Sequence, residues 1–157
     1  MVFPFFLPFA KDPNGTPASP AQLRVIGIAL LMGAMTFAAV AVGLPFIVGG
    51  SAEATGEPMV DTVQTFSLVN LLLTPACLGT AIVMGLRPTH SPEQAASRRI
   101  QRWAILEGAA LFGVVVVLLG GLNGVLPGAP LYYANLIPLA LFAAIIVTDL
   151  ASTGARP

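Results

Sequence analysis

Four long apolar stretches, separated by short polar segments, dominate the pattern of this chain. They cover about residues 25–48, 62–86, 100–122 and 131–150. At about 1.5 Å of rise per residue, a helix of about twenty residues crosses the roughly 30 Å hydrocarbon layer of a bilayer. The pattern therefore predicts an all-α, integral membrane four-helix bundle.

The third stretch shows the flanks of a membrane-spanning helix most clearly. Arg98, Arg99 and Arg102 precede it, Trp103 follows, and an almost unbroken apolar run comes next. Basic residues and an interfacial Trp are typical of the boundary between membrane and water. One carboxylate, that of Glu107, lies about a turn into the apolar run.

The N-terminal segment has a different pattern, with four phenylalanines placed around two prolines. These phenylalanines are Phe3, Phe5, Phe6 and Phe9. The prolines prevent a continuous helix, and the apolar run is too short to cross a bilayer. We expect residues 1–20 to form an interfacial tail and linker, which either lies among the lipid headgroups or docks in a groove of a partner subunit. Residues 21–157 then form the four-helix transmembrane domain.

The basic residues all fall in the same three segments, namely the N-terminal region, the loop between the second and third spans, and the C-terminal tail. They are Lys11, Arg24, Arg87, Arg98, Arg99, Arg102 and Arg156. The positive-inside rule places these segments in the cytoplasm. Four spans put both termini on one side, which agrees with this charge distribution.

Composition supports a membrane protein and offers little chemistry. The chain is 56% hydrophobic and 9% charged, whereas soluble domains carry about 25% charged residues. The single Cys excludes an internal disulfide, and the single His cannot form a bis-His haem site. We expect no cofactor, no metal site and no nucleic-acid partner. The abundance of Ala, Gly, Pro and Arg is typical of GC-rich bacterial genomes, which suggests the bacterial inner membrane.

A weak internal repeat relates the first and third spans. A shift of 75 positions aligns Arg24 with Arg99, Ala29 with Ala104, Gly33 with Gly108, Ala34 with Ala109, and Phe37 with Phe112. Small residues one turn apart let helices approach closely in lipid. We therefore expect two tandem transmembrane hairpins, with the first and third spans in contact through Gly33 and Gly108.

Glu107 is the most informative polar residue, because its counterpart in the repeat is Met32. An ionisable group within a span is a functional hypothesis by default. The candidate intramembrane polar site comprises Glu107, Arg24, Arg99 and Asn70. Glu107 is expected to be a structural carboxylate paired with Arg24 or Asn70, a neutral group facing a partner protein, or a relay for protons or cations.

The other intramembrane polar residues predict contacts between helices. Asn70 and Asn135 are expected to hydrogen bond to neighbouring helices rather than to bind a ligand. Asp149, at the end of the fourth span, is expected to pair with Arg156.

The segment Trp103–Phe112, WAILEGAALF, resembles a group of small bacterial membrane proteins. In these proteins an Arg-flanked helix carries an L-x-E-G-A-A-L-F-type segment. The resemblance covers residues 99–113 and implies four spans but no activity.

Three functions are compatible with these features. The leading hypothesis is a non-catalytic small integral membrane subunit that packs into a larger membrane complex, with other membrane protein subunits and lipids as its partners. The alternative is a small oligomeric channel or carrier that uses Glu107. A membrane enzyme acting on lipid is the third, but the sequence contains no nucleophile–base pair or metal cluster.

The charge distribution generates a prediction about topology. A cysteine introduced at Ser51 should react with a membrane-impermeant thiol reagent applied from outside, and one at Ser91 should not. The reverse labelling pattern would contradict the assignment of the middle loop to the cytoplasm.

Overall fold

The computed structural model describes residues 18–48, 57–126 and 129–154, and these parts are helical with no strand. They form α1 (Pro20–Val48), α2 (Glu57–Leu86), α3 (Pro92–Leu122) and α4 (Ile137–Gly154), and a 3-10 helix (Pro130–Leu136) leads directly into α4. Four helices are long and apolar enough to cross a membrane. The all-α class and the number of spans are therefore confirmed, and they support a multi-pass membrane protein.

Two of the helices begin earlier than their apolar runs because each has a strong N-terminal cap. In α1 the Ser19 hydroxyl accepts a hydrogen bond from the Gln22 N–H at 3.2 Å, and the Gln22 side chain accepts one from the Ser19 N–H at 2.7 Å. In α3 the Ser91 hydroxyl accepts from the Gln94 N–H at 3.2 Å. Both caps are followed by proline at the first helical position, where its missing N–H costs nothing.

Helix α3 lies at the centre of the packing. It contacts α1, α2, α4 and the 3-10 helix, and α1 also contacts α4. Half of the residues in the most apolar part of α3 are buried, compared with 17% in the corresponding part of α2. Because α3 contacts every other helix, it has more buried residues than any other described helix.

This packing does not show the predicted arrangement of two tandem hairpins. The described parts of α1 and α2 each pack mainly on α3, and α3 also packs on α4. The repeat positions also differ in environment, because Met32 is 62% exposed and Glu107 is half-buried. Sequence similarity between the first and third spans thus does not make them structurally equivalent.

The prediction that Gly33 and Gly108 form the contact between α1 and α3 was wrong. Both are exposed, and a Cβ atom added to either would meet nothing within 4 Å. Ala29 is likewise exposed, and Ala104 is half-buried. The physical reason is helix rotation, because the side of α3 that faces α1 carries Trp103 rather than Gly108.

The close approach of α1 and α3 occurs at two other glycines. A Cβ atom at Gly27 would lie 3.2 Å from the Trp103 ring, near the start of both helices. A Cβ atom at Gly121 would overlap Pro45 near the end of both helices. One contact joins the N-terminal parts of α1 and α3, and the other joins their C-terminal parts. The two helices therefore run parallel.

These contacts predict opposite effects of the same substitution at two positions of α3. Gly121→Ala should destabilise the fold by about 1–3 kcal/mol, because the rigid Pro45 ring cannot move aside as a flexible side chain would. Gly108→Ala, the matched control, should be neutral or stabilising by up to about 1 kcal/mol, because alanine favours helix and the site is open. Thermal unfolding of the two variants in detergent measures both effects. Equal melting temperatures would contradict the packing at Pro45.

Candidate functional site

A charged cluster joins α3 to α4 near the ends of the spans where the basic residues lie. Two oxygens of the Asp149 carboxylate accept hydrogen bonds from the Arg102 Nη2 atom at 3.0 and 2.9 Å. The Trp103 indole Nε1–H donates to the same carboxylate at 2.9 Å. Asp149 therefore pairs with Arg102. The predicted pairing of Asp149 with Arg156 is untested, because Arg156 lies outside the described residues. One acceptor fixes two successive side chains of α3.

Two glycines provide the space that this cluster needs. At Gly85 of α2 a Cβ atom would lie 2.9 Å from the Arg102 Nη1 atom, and at Gly27 of α1 it would meet the Trp103 ring. Trp103 is fully buried, and the side chains of Arg102 and Asp149 are only 24% and 18% exposed. All four helices thus meet around this ion pair.

A second polar cluster lies deeper, between α2, α3 and the 3-10 helix. The Asn70 Nδ2 atom donates to the Asn135 Oδ1 atom at 3.1 Å, and the Asn135 Nδ2 atom donates to the Ser67 hydroxyl at 2.8 Å. Both asparagines are fully buried, and the Oδ1 atom of Asn70 has no hydrogen-bond partner among the described residues. Gly113 of α3 makes this possible, because a Cβ atom there would overlap the Asn135 carbonyl oxygen. The prediction that these asparagines bond between elements is confirmed.

Glu107 lies apart from both clusters. It is one turn from Trp103 and from Ala110, and two turns before Val114, so it shares a side of α3 with three fully buried residues. Glu107 itself is only half-buried, and it forms no hydrogen bond or ion pair within the parts of the chain that the structure describes. The pairing with Arg24 or Asn70 that the sequence suggested is therefore absent.

The structure does not bring the four residues of the candidate polar site together. Arg24 is exposed at the start of α1, and Asn70 is bonded to Asn135. Arg99 lines a polar cavity together with other arginines between α2 and α3. The proposed docking residues Phe3, Phe5, Phe6 and Phe9 lie outside the described residues.

Sequence reasoning missed the ion pair between Arg102 and Asp149. The usable signal was that both residues lie at the membrane boundary on the side where the basic residues collect. In such a place a carboxylate is most stable beside a cation and an indole N–H.

The described residues contain no group of three or more His, Cys, Asp or Glu side chains that could hold a metal ion. No protein-family model, curated protein or solved structure matches the chain. The polar sites themselves are therefore the only guide to function.

The cluster at Asp149 predicts a large loss of stability when its acceptor is removed. Asp149→Ala leaves a mostly buried guanidinium and a buried indole N–H without this acceptor, which should cost about 2–4 kcal/mol. Asp149→Asn should cost less because it keeps one acceptor oxygen. Trp103 is the only tryptophan, so its fluorescence reports unfolding at the cluster directly. Asp61→Ala, at an exposed carboxylate, is the control, and an equal loss in this variant would contradict the assignment.

Proposed function

We propose that this protein is a non-catalytic small integral membrane subunit that packs into a larger membrane protein complex and stabilises it. Its partners are other membrane protein subunits and lipids. The charge distribution supports the bacterial inner membrane as its location, with both termini and the loop between α2 and α3 in the cytoplasm.

The observation that carries this proposal is the half-buried, unpaired carboxylate of Glu107. It lies about four residues, or roughly 6 Å along the axis, deeper than Trp103. A charged carboxylate at a helix centre costs up to about 3 kcal/mol on insertion scales, so it needs a partner, a proton or water. The described residues supply no partner, and a neighbouring subunit with a donor facing this position would.

The surface around Glu107 supports a protein neighbour. Gly108, the next residue of α3, is exposed, and a Cβ atom added there would meet nothing within 4 Å. Small residues on an outer helix face allow another helix to approach closely and to reach the carboxylate with a hydrogen-bond donor. Lipid tails could cover small apolar residues equally well, but they provide no donor for Glu107.

The thin packing of α2 agrees with a subunit that is completed by others. Helix α2 packs on α3 and on the 3-10 helix, and its outer face is apolar. Exposed large residues on it include Phe66, Leu68, Val69, Leu71, Leu72, Leu73, Ile82, Val83 and Leu86. This apolar face is compatible with lipid as well as with protein, so it supports the subunit function less strongly than Glu107 does.

The alternative function is a small oligomeric channel or carrier that uses Glu107. The same half-buried carboxylate favours it, because a transport site needs an ionisable group that water or an ion can reach. The two functions differ in what Glu107 must do. A structural partner needs a hydrogen bond, whereas a relay needs a group that ionises.

Substitutions at Glu107 separate the two functions. Glu107→Gln keeps a hydrogen-bonding group and should preserve the complex, while Glu107→Met matches the apolar residue at position 32 and should release partner subunits. Native mass measurement after gentle extraction follows assembly, and proton flux in vesicles of the purified assembly follows transport. Asp61→Asn is the control for loss of a carboxylate outside the apolar core of a span.

The outcome that would contradict the subunit function is normal assembly with flux lost in both Glu107 variants. A homo-oligomer without foreign subunits in the parent extract would also contradict it. A further variant, Gly108→Leu, tests the neighbouring surface. It should weaken assembly without lowering the melting temperature of the isolated chain, because its side chain projects into open space.

A further inference from the structure

A polar cavity lies between the end of α2 and the first turns of α3. Its volume is about 150 Å³. Four of its lining residues are arginines, namely Arg87, Arg98, Arg99 and Arg102. Like charges placed close together repel one another, so the partners of each arginine decide what the cavity can bind.

The protein itself neutralises only part of this charge. Arg102 is paired with Asp149, as described above. The Arg98 Nη1 atom donates to the carbonyl oxygens of Arg87 and Pro88 at 2.8 Å each, which holds the loop but adds no negative charge. The guanidinium groups of Arg87 and Arg99 have no hydrogen bond or ion pair within the described ranges. Three cationic groups thus remain without a carboxylate bound to them in hydrogen-bonded geometry.

This arrangement favours a phosphate group as the ligand. Arginine presents planar, paired N–H donors that match two oxygens of a phosphate, and several arginines around one site can bind its oxygens together. The Arg98 Nη2 atom is not used in the bonds to the loop, so it remains able to donate. Thr89 adds a hydroxyl to the same lining.

An apolar cavity adjoins the arginine cavity and indicates which phosphate compound fits. Its volume is about 330 Å³, and it lies between α2, α3 and α4. Its lining consists of Ala81, Ile82, Gly85, Leu86 and Ile145, together with Arg102. Gly85 and Arg102 line both cavities, so a single ligand can occupy the two. Such a ligand has a phosphate at one end and a hydrocarbon chain at the other.

We propose that these two cavities bind one anionic phospholipid, with its phosphate among the arginines and part of one acyl chain against α2 and α4. The location agrees with this occupant, because the arginines lie at the end of the spans where headgroups are found. Basic pockets between transmembrane helices on the cytoplasmic side are suited to acidic headgroups. The lipid site is independent of Glu107 and goes beyond the subunit function.

Lipid binding to the purified full-length chain tests the proposal. The chain in detergent is titrated with dioleoyl phosphatidylglycerol or dioleoyl phosphatidylcholine, and native mass spectrometry counts the retained lipids. One phosphatidylglycerol should be retained at least several-fold more strongly than phosphatidylcholine. The variant Arg87→Gln/Arg99→Gln should lose most of this preference, because it removes the two arginines that have no other partner.

Arg24→Gln is the matched control. Arg24 is exposed at the corresponding end of α1 and does not line the cavity, so this variant should keep the preference. An equal loss in Arg24→Gln, or equal retention of the two lipids by the parent, would overturn the proposal in favour of general attraction to a charged surface. Melting temperatures of the variants show whether the chain is folded when lipid is added.

Two further ligands separate a lipid from a free phosphate and need no variant. Inorganic phosphate and dihexanoyl phosphatidylglycerol are each used to displace the retained dioleoyl lipid. Both should displace the dioleoyl lipid poorly. Inorganic phosphate has no acyl chain, and the short chains of dihexanoyl phosphatidylglycerol fill little of the apolar cavity. Displacement by inorganic phosphate at concentrations similar to those of the lipid would show that the arginine cavity binds free phosphate, and the lipid proposal would be wrong.

Discussion

The structure depends most on a single acceptor, the carboxylate of Asp149, near the end of α4. It receives hydrogen bonds from Arg102 and Trp103, two adjacent residues that leave α3 in different directions. Adjacent residues on a helix are about 100° apart, so binding both fixes the rotation of α3 about its axis and not only its distance from α4. That rotation in turn determines which side of α3 faces each neighbouring helix. Gly27 of α1 leaves space for the Trp103 ring, and Gly85 of α2 leaves space for the Arg102 guanidinium.

Most buried polar side chains of α3 and its neighbours have hydrogen-bond partners among the described residues, although the Asn70 Oδ1 and Gln101 Nε2 atoms do not. Arg102 and Trp103 are paired at the boundary, and Asn135 is paired in the interior with Ser67 and Asn70. Polar groups in lipid need such partners because no bulk water is available to replace them. Glu107, between the two clusters along α3, has none among the described residues. A charged carboxylate without a partner costs more in lipid than an amide atom without one, so Glu107 is the most informative of these groups.

The sequence predicted those properties that depend on composition along the chain and failed on those that depend on rotation. Hydropathy identified the four spans, because crossing lipid requires apolar length regardless of which neighbour each side chain meets. Hydropathy marks only the apolar part of α3, whereas the helix itself begins at Pro92, because Ser91 caps it in the polar segment before the span. Aligning Gly33 with Gly108 gave no information on helix rotation, and both proved to face outward. The pairing of Asn70 and Asn135 was predictable in kind, but its geometry depends on the 3-10 helix, which no periodicity in the sequence indicated.

The unequal surroundings of the helices indicate where additional contacts belong. On one side of α3 the helices α1 and α4 touch each other, whereas α2 packs mainly on α3 and on the 3-10 helix. The arginine cavity and the apolar cavity both open along α2, so a lipid there would cover part of the helix that the protein covers least. Glu107 lines neither cavity, and a lipid tail would offer its carboxylate no hydrogen-bond donor. The proposed lipid site and Glu107 share no residue, so their roles can be tested separately.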